Sequence, residues 1–418
     1  MMSADENLHE PDRPLRAAVP NGPQPPAPGP LMGIRVLDLT SVIMGPLATQ
    51  TLGDLGADVV SIEDRQGDTN RAMGAGPAPG MSGVSMNLLR NKRSVGLDLK
   101  APAGRDAFLR LAATSDVLVT NLRPGPLRRL GLDYGAVRAV RPDIVFCQAH
   151  GYPSDTPQGE APAYDDIIQS ASGVGELFLR MGHEPSLLPT LLADKVCGLT
   201  IAYAILAALV HRERTGQGQR IEVPMIDVMH SFMLVEHGAG AIPVPPLEPA
   251  GYKRILTPQR RNQATTDGYV NVLPYTLEHY QALFRAGGRE DLLQDQRIAS
   301  RDARIANSDS LYGDVSAILT QRSTAEWLEF CELEGIPATK AAKLEDLVSA
   351  LPQATHPTAG QYRIIPPPVR FSATPAAVRR HAPRIGEHGR EVLAEVGYDE
   401  ATLDALQEAG TLLAPPIE

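Results

Sequence analysis

Asp194 is the residue whose surroundings most invite chemistry. It stands at the head of a long stretch, Cys197–Val210, that carries no charge. One role open to it is a helix N-cap, where the carboxylate accepts a backbone N–H. The second is compatible with the first. A carboxylate at a helix N-terminus is held ionised by the dipole, and an ionised, positioned carboxylate can attack a thioester carbonyl. The same helix end offers N–H groups to a developing oxyanion. Other candidates are weaker. Tyr164-Asp165-Asp166 places two acids before the small-residue segment IIQSASGVG, and adjacent acids usually mark a surface turn. Glu278-His279 opens an amphipathic segment, where either side chain can act as an acid or base or lie exposed. Glu63 ends a strand at the place where a ribose-binding acid sits in dinucleotide folds; alone, it reads as a solvated strand end. The turn that would hold the pyrophosphate reads SVIMGP and has one glycine, Gly45, so the fingerprint needed for close backbone approach is missing. Asn91-Lys-Arg-Ser94 and Arg123, Arg128 and Arg129 flank predicted strand ends, where ligands dock on an open α/β sheet and guanidinium groups meet phosphates; singly, each reads as surface charge.

The elements that must position these residues alternate. Strands are expected at Ile34–Thr40, Ala57–Glu63, Arg93–Lys100, Asp116–Leu122 and Ile144–His150. Helical patterns fall at Pro46–Leu55, Pro102–Ser115 and around Pro126–Val140, and a Gly/Pro-rich loop at Gly74–Gly83. Such alternation implies parallel βαβ units and a doubly wound layer. A long helix runs from Asp194 to about Arg214 and stops at Thr215-Gly-Gln-Gly, whose glycines suit a C-cap. The strand Arg220–Val223 follows. From about 225 the pattern changes: prolines cluster at 243–249, a strand falls at Tyr269–Leu273, and Ser323-Thr-Ala-Glu326 has capping-box spacing ahead of Trp327. The expected organisation is a Pro-rich flexible tail at 1–30, a large α/β domain at 31–220, a small domain at 225–335, and a segment at 355–418 with a strand-like Val369–Ser372 and a helical Gly389–Gly397.

Bulk composition bounds the function. The chain has 418 residues, 43% hydrophobic and 21% charged, ordinary for a soluble enzyme of two or more domains. A formal charge of -10 argues against nucleic acid as a partner. Three cysteines (Cys147, Cys197, Cys331) without metal-ligand spacing fit a reducing, cytoplasmic setting with neither a disulfide framework nor a metal. No secretory pattern opens the chain. The apolar run Gly198–Val210 is shorter than the roughly 20 residues a membrane span needs, so no membrane association is expected.

Taken in order, several segments resemble the class III CoA-transferases, the family that also holds formyl-CoA transferase, carnitine CoA-transferase and α-methylacyl-CoA racemase. They are Gly33-Ile-Arg-Val-Leu-Asp-Leu-Thr through Gly45-Pro46, Leu52-Gly-Asp-Leu-Gly-Ala-Asp-Val-Val-Ser-Ile-Glu63, Asn91-Lys-Arg-Ser-Val-Gly-Leu-Asp-Leu-Lys100, Asp116-Val-Leu-Val-Thr-Asn-Leu-Arg-Pro-Gly125, Leu130-Gly131, Gly151-Tyr152, Leu206 through Gln219, Gly386-Glu-His388 and Val392-Leu393. The resemblance implies a Rossmann-like large domain with a parallel sheet, a smaller α+β domain, and two chains interlocked as a homodimer. It implies that coenzyme A enters as acyl-CoA with no metal. Its contacts would fall at Ile43, Met44, Leu97, Lys100, Asn121, Leu122, Arg129, Tyr164 and Asp165. Asp194 would be the catalytic aspartate, carrying CoA from an acyl-CoA donor to a carboxylic acid acceptor through anhydride and thioester intermediates. The racemase branch has a histidine where Tyr164 stands, so proton exchange at an α-carbon, the alternative activity, would lack one of its two bases. The glycine-rich loop of the formyl-CoA branch has no counterpart between 225 and 275.

Overall fold

The computed structural model describes residues 28–414, so the expected tail lies almost wholly outside the described residues. Its last residues are packed rather than free: a Cβ on Gly29 would stand 2.1 Å from the Leu55 carbonyl oxygen. The chain divides into two compact units. The first holds the residues up to Ile168, Pro189–Met229 and everything from Val348 on; the second holds Gln169–Leu188 and His230–Leu347. Gln169–Leu188 thus groups with the second unit, although its sequence position falls within the expected large domain. Its short helix Val174–Arg180 is tied there by Arg180, which donates to the Ala250 carbonyl.

In chain order the first unit contributes β1 (Arg35–Leu39), β2 (Asp58–Glu63), β3 (Lys92–Leu97), β4 (Val117–Thr120), β5 (Val145–His150) and β6 (Arg220–Pro224). The second unit contributes β7 (Gln263–Ala264), β8 (Tyr269–Val272) and β9 (Ala338–Lys340). The first unit resumes with the hairpin β10 (Gln353–His356) and β11 (Gly360–Arg363), then β12 (Leu412–Leu413). The main sheet has the order β12-β3-β2-β1-β4-β5-β6. All its pairings are parallel except that of β12 with β3. Strands β3, β4 and β5 are buried throughout, as expected where helices cover both faces of a parallel sheet. The observed helices Met44–Asp54, Pro102–Ala113 and Leu192–Thr215 match the expected ones to within two residues.

Leu37, Val60, Leu118 and Phe146 of the sheet pack with Phe108 of the Pro102–Ala113 helix into a core that also takes Val392, Leu393, Leu403, Leu406 and Leu412 from the end of the chain. Ser94 clasps that returning segment: its hydroxyl accepts from the Gly386 N–H at 2.9 Å and its carbonyl from the His388 N–H at 2.9 Å. Gly386 has φ +69, and a Cβ there would meet the Leu413 carbonyl at 2.5 Å, which accounts for glycine in the Gly-Glu-His segment. The expected strand at Val369–Ser372 is irregular and exposed. Pro366, Pro367 and Pro368 lead into it, and three missing N–H groups discourage a ladder.

The Leu192–Thr215 helix has 24 residues and is longer than its apolar run suggests. By length and composition alone it would suffice to cross a bilayer, but half of its most apolar stretch is buried inside the protein. Cys197, Ile201 and Ile205 are fully buried. The second unit has a separate core around Trp327, whose indole N–H donates to the Leu319 carbonyl at 2.8 Å. The capping box expected at Ser323–Glu326 is present in both its hydrogen bonds.

Candidate active site

Asp194 is the third residue of the Leu192–Thr215 helix, not its cap. Leu191 holds the N-cap position and offers no side-chain hydrogen bond. The cap comes from far along the chain: the Asp194 N–H, one of the donors a helix start leaves unpaired, donates to Asp165 Oδ1 at 2.9 Å. Asp165 is itself buried at the start of the Asp165–Ala171 helix. The two acids that read separately in the sequence therefore meet, with Asp165 in the capping role that spacing suggests for Asp194.

This frees the Asp194 carboxylate. It is 8% exposed and accepts no hydrogen bond from any described residue. Burial first, and the neighbouring charge of Asp165 second, push its pKa up to about 6. The helix dipole does not hold it in the ordinary carboxylate range, contrary to expectation, because desolvation and like charge outweigh it. Above pH 6 the group is an anion with few partners, a state suited to nucleophilic attack. Cys197, one turn on, does not compete as a nucleophile: burial, then Asp194 and Asp165, push its thiol up to about 12.

The loop expected to touch the ligand lies against the same helix. A Cβ on Gly198 would stand 2.7 Å from the Met44 carbonyl oxygen, so Gly198 lets the Met44–Asp54 helix approach within one turn of Asp194. The loop before that helix is held in an uncommon shape. Val42 has φ +73, a left-handed conformation that β-branched residues rarely adopt. Its N–H donates to Asp68 Oδ1 at 2.8 Å and its carbonyl accepts from Asn70 Nδ2 at 3.1 Å. Burial pushes Asp68 up to about 6 despite these bonds.

A cavity of about 660 Å³ opens at the carboxyl ends of β1, β2 and β3 and beside β4, next to the point where the strand order reverses. Open α/β sheets place ligands there. Leu97, Lys100, Asn121 and Leu122 line it; Ile43, Met44, Arg129, Tyr164 and Asp165 do not. Ile43 and Met44 are buried where the Met44–Asp54 helix begins. Arg129 is exposed in the last turn of the Pro124–Leu130 helix, and Tyr164 is 69% exposed. Asn121 bridges the reversal point, accepting from the Ser41 N–H at 3.1 Å and donating to the Ser41 carbonyl at 2.8 Å. Arg65 and Lys100, both exposed, lie at the rim with no carboxylate in ion-pair distance among the described residues.

Several basic candidates prove structural. Lys92, Arg93 and Ser94 form β3 itself. Lys92 Nζ is buried against Asp38 at 3.0 Å and Thr49 at 2.7 Å; Arg93 pairs with Asp58, Glu391 and Glu395. Arg123 and Arg128 are engaged by Glu160. Glu63 is neither solvated nor open to a ribose. Arg71 grips both its oxygens at 2.6 and 2.7 Å, and Ser94 and the Asp68 N–H fill the rest. Burial opposes its charge, yet these partners hold its pKa below the usual value. Glu278 and His279 lie in the second unit, where Glu278 is exposed and His279 accepts from the Tyr275 N–H at 3.3 Å.

Residues 31–389 match the model of CoA-transferase family III. The chain belongs to that family. A probable fatty acyl-CoA transferase of Mycobacterium tuberculosis, Rv3272, is 31% identical over 385 residues, covering 87% of this chain and 98% of the relative. The succinate–glutarate CoA-transferase of Agrobacterium fabrum is 30% identical over 389 residues, covering 89% and 97%. A CAIB/BAIF family protein from Brucella suis, solved by crystallography, superposes with a TM-score of 0.75 at 28% identity, over 88% of this chain and all of that one. The protein is thus a CoA-transferase, an enzyme of acyl-CoA metabolism. No sequence signal revealed the shape of the loop before the Met44–Asp54 helix. The Asp68-Thr-Asn70 turn was readable as an Asx turn, but nothing local marks Val42 for positive φ.

Proposed function

We propose that this enzyme moves CoA between carboxylic acids with Asp194 as the covalent nucleophile. The observation that carries the reading is the buried Asp194 carboxylate, unpaired among the described residues, in the first turn of its helix. Its oxygen attacks the donor thioester carbonyl, forming an acyl–aspartyl anhydride as the C–S bond breaks and CoA leaves as thiolate. The thiolate attacks the aspartyl carbonyl, forming an aspartyl thioester and releasing the donor acid. The acceptor carboxylate then attacks that thioester, again expelling the thiolate. Attack of the thiolate on the acceptor carbonyl yields the new acyl-CoA and restores Asp194. Each exchange of acyl bonds is split into steps of lower barrier.

The sheet-end cavity takes the CoA moiety in this reading. Leu97 and Leu122 supply apolar wall, and Arg65 and Lys100 are placed at the rim to meet phosphates. Arg129 and Tyr164, exposed, contact CoA only where it leaves that cavity, while Asp165 acts on Asp194 rather than on CoA. Relatives named for succinate–glutarate and succinyl-CoA:mesaconate transfer suggest dicarboxylic acids as donor and acceptor. The reading includes a cytoplasmic homodimer. The three buried free cysteines fit a reducing compartment, and exposed Leu199, Tyr203 and Val210 on the long helix fit a covered surface. Light scattering of the purified protein checks the dimer.

The test of function is transfer from succinyl-CoA to glutarate by wild type and Asp194→Asn. The reading requires transfer by the first and its loss in the second. Wild-type exchange of the α-proton of an acyl-CoA into heavy water, without transfer, would instead favour the racemase alternative.

A further inference from the structure

The second unit contains a concentration of positive charge that the proposed reaction does not use. A cavity of about 200 Å³ is lined by Arg254, Arg301 and Arg304 together with Tyr275, Tyr280 and Tyr312. Arg301 and Arg304 lie one turn apart on the Arg301–Ala306 helix, Tyr280 on the Leu277–Ala286 helix and Tyr312 on the Ser308–Leu319 helix. None of the three arginines has a carboxylate within ion-pair distance among the described residues. Arg289 and Arg297, on the same unit, are by contrast paired with Asp291, Asp295 and Asp314; what distinguishes the three cavity arginines is that they converge on one hollow.

The cavity is built rather than incidental. Arg254 is half-buried, stacked 4.6 Å from the centre of the Tyr275 ring, and donates through Nε to the Tyr312 hydroxyl at 3.2 Å. Arg304 is held by the Ile298 carbonyl at 2.7 Å. Tyr280 and Tyr312 are each 3% exposed. The Tyr280 hydroxyl has no hydrogen-bond partner among the described residues and so is available to a ligand in the hollow. Burial first, and Tyr312 second, raise its pKa, so it is a proton donor at neutral pH. Three guanidinium groups, of which Arg304 feels the more distant charge of exposed Glu278 and none is ion-paired, and an unspent O–H donor lining one hollow form an oxyanion receptor. The hollow is smaller than the roughly 300–1,000 Å³ typical of larger organic ligands, which suits an acid of a few carbons.

We propose that this cavity is a binding site for a small dicarboxylate, with Arg301 and Arg304 on its carboxylate oxygens and the Tyr280 hydroxyl as a further donor. The choice of a carboxylic acid rests on the proposed transfer between such acids; the site itself rests on charge and geometry. The test is calorimetric titration of the full chain carrying Asp194→Asn, without CoA, so that no acyl chemistry contributes and failure here stays separate from failure of the Asp194 mechanism. The ligands are glutarate, its neutral diamide and inorganic phosphate. Saturable glutarate binding at or below about 1 mM is expected, with no diamide binding and weaker phosphate binding. Arg301→Gln, an exposed substitution that disturbs no packing, and Tyr280→Phe should each weaken glutarate about three- to tenfold. Arg301→Gln/Arg304→Gln should weaken it by more than tenfold while thermal unfolding stays unchanged. Glutarate binding indifferent to all of these variants, or absent, would overturn the site. Phosphate binding more tightly than glutarate would overturn its assignment to a carboxylic acid.

Discussion

Glu63 and Asp194 are carboxylates of similar burial in the same unit, 6% and 8% exposed, and the protein treats them in opposite ways. Glu63 is surrounded by Arg71, Ser94 and the Asp68 N–H, and its pKa falls. Asp194 receives no hydrogen bond from the described residues and faces Asp165, and its pKa rises to about 6. A buried charge with every lone pair satisfied organises structure. One left unsatisfied costs stability, which a protein tolerates where the group must react. Glu63 joins β2, β3 and the turn after β2; among the described residues Asp194 joins nothing through its side chain.

The sharpest way to break this contrast is to remove each charge in turn. Asp194→Asn should lower transfer by at least about 10³-fold, the scale on which loss of a covalent nucleophile acts, with the fold intact by circular dichroism. Glu63→Gln should instead act on stability. It strands the buried Arg71 and should cost about 3–5 kcal/mol, read as a lowered denaturation midpoint. If Asp194→Asn unfolds the protein while Glu63→Gln leaves it stable, the assignment of roles is reversed.

The pH dependence separates the two groups further. In the proposed mechanism Asp194 attacks as the anion, so kcat/KM should rise with pH and level off above about 6. Asp165→Asn removes the like charge and keeps an oxygen for the Asp194 N–H, so the acid limb should move to lower pH. For stability the signs oppose. The raised pKa of Asp194 means the folded state holds its proton more tightly, so stability is lost as pH rises from about 4 to 6 and stays lost above. Asp194→Asn should therefore be more stable than wild type at pH 8, by about 1–3 kcal/mol, and lose that advantage near pH 4. The lowered pKa of Glu63 contributes stability above the ordinary carboxylate range that is lost on acidification. Thermal melts of the three proteins from pH 4 to 8 check both signs.

Smaller effects concern the loop before the Met44–Asp54 helix and the rim of the sheet-end cavity. Gly198→Ala drives a Cβ against the Met44 carbonyl and should cost about 1–3 kcal/mol, with a fall in transfer as the loop moves from Asp194. Arg65→Ala should raise the KM for acyl-CoA severalfold through a lost phosphate contact. Arg128→Ala, which breaks only an exposed pair with Glu160, should change stability by less than about 1 kcal/mol and leave that KM unchanged.

Most of the sheet was legible because strands such as β4 and β5, buried on both faces, read as largely apolar runs separated by helical patterns. Asp194 was legible as a candidate, but its place inside the helix rather than at its cap was not. Capping by Asp165 is a contact across 29 positions, and no local pattern reveals it. The Asn91–Ser94 run misleads for the same reason. Its polar side chains look like surface groups until neighbouring strands bring Asp38, Asp58 and Glu63 beside Lys92, Arg93 and Ser94, and the Met44–Asp54 helix brings Asp54 beside Asn91. The arginine cavity of the second unit draws its members from positions 254 to 312, which sequence spacing scatters.

The most direct test of the central claim is mass spectrometry of the enzyme after incubation with succinyl-CoA and hydroxylamine, which converts an activated aspartyl carbonyl to a hydroxamate. The account predicts a mass shift on the peptide carrying Asp194, dependent on the thioester and absent in Asp194→Asn. An enzyme that transfers CoA from succinyl-CoA to glutarate while its Asp194 peptide stays unmodified, or carries the label on another residue, would contradict it.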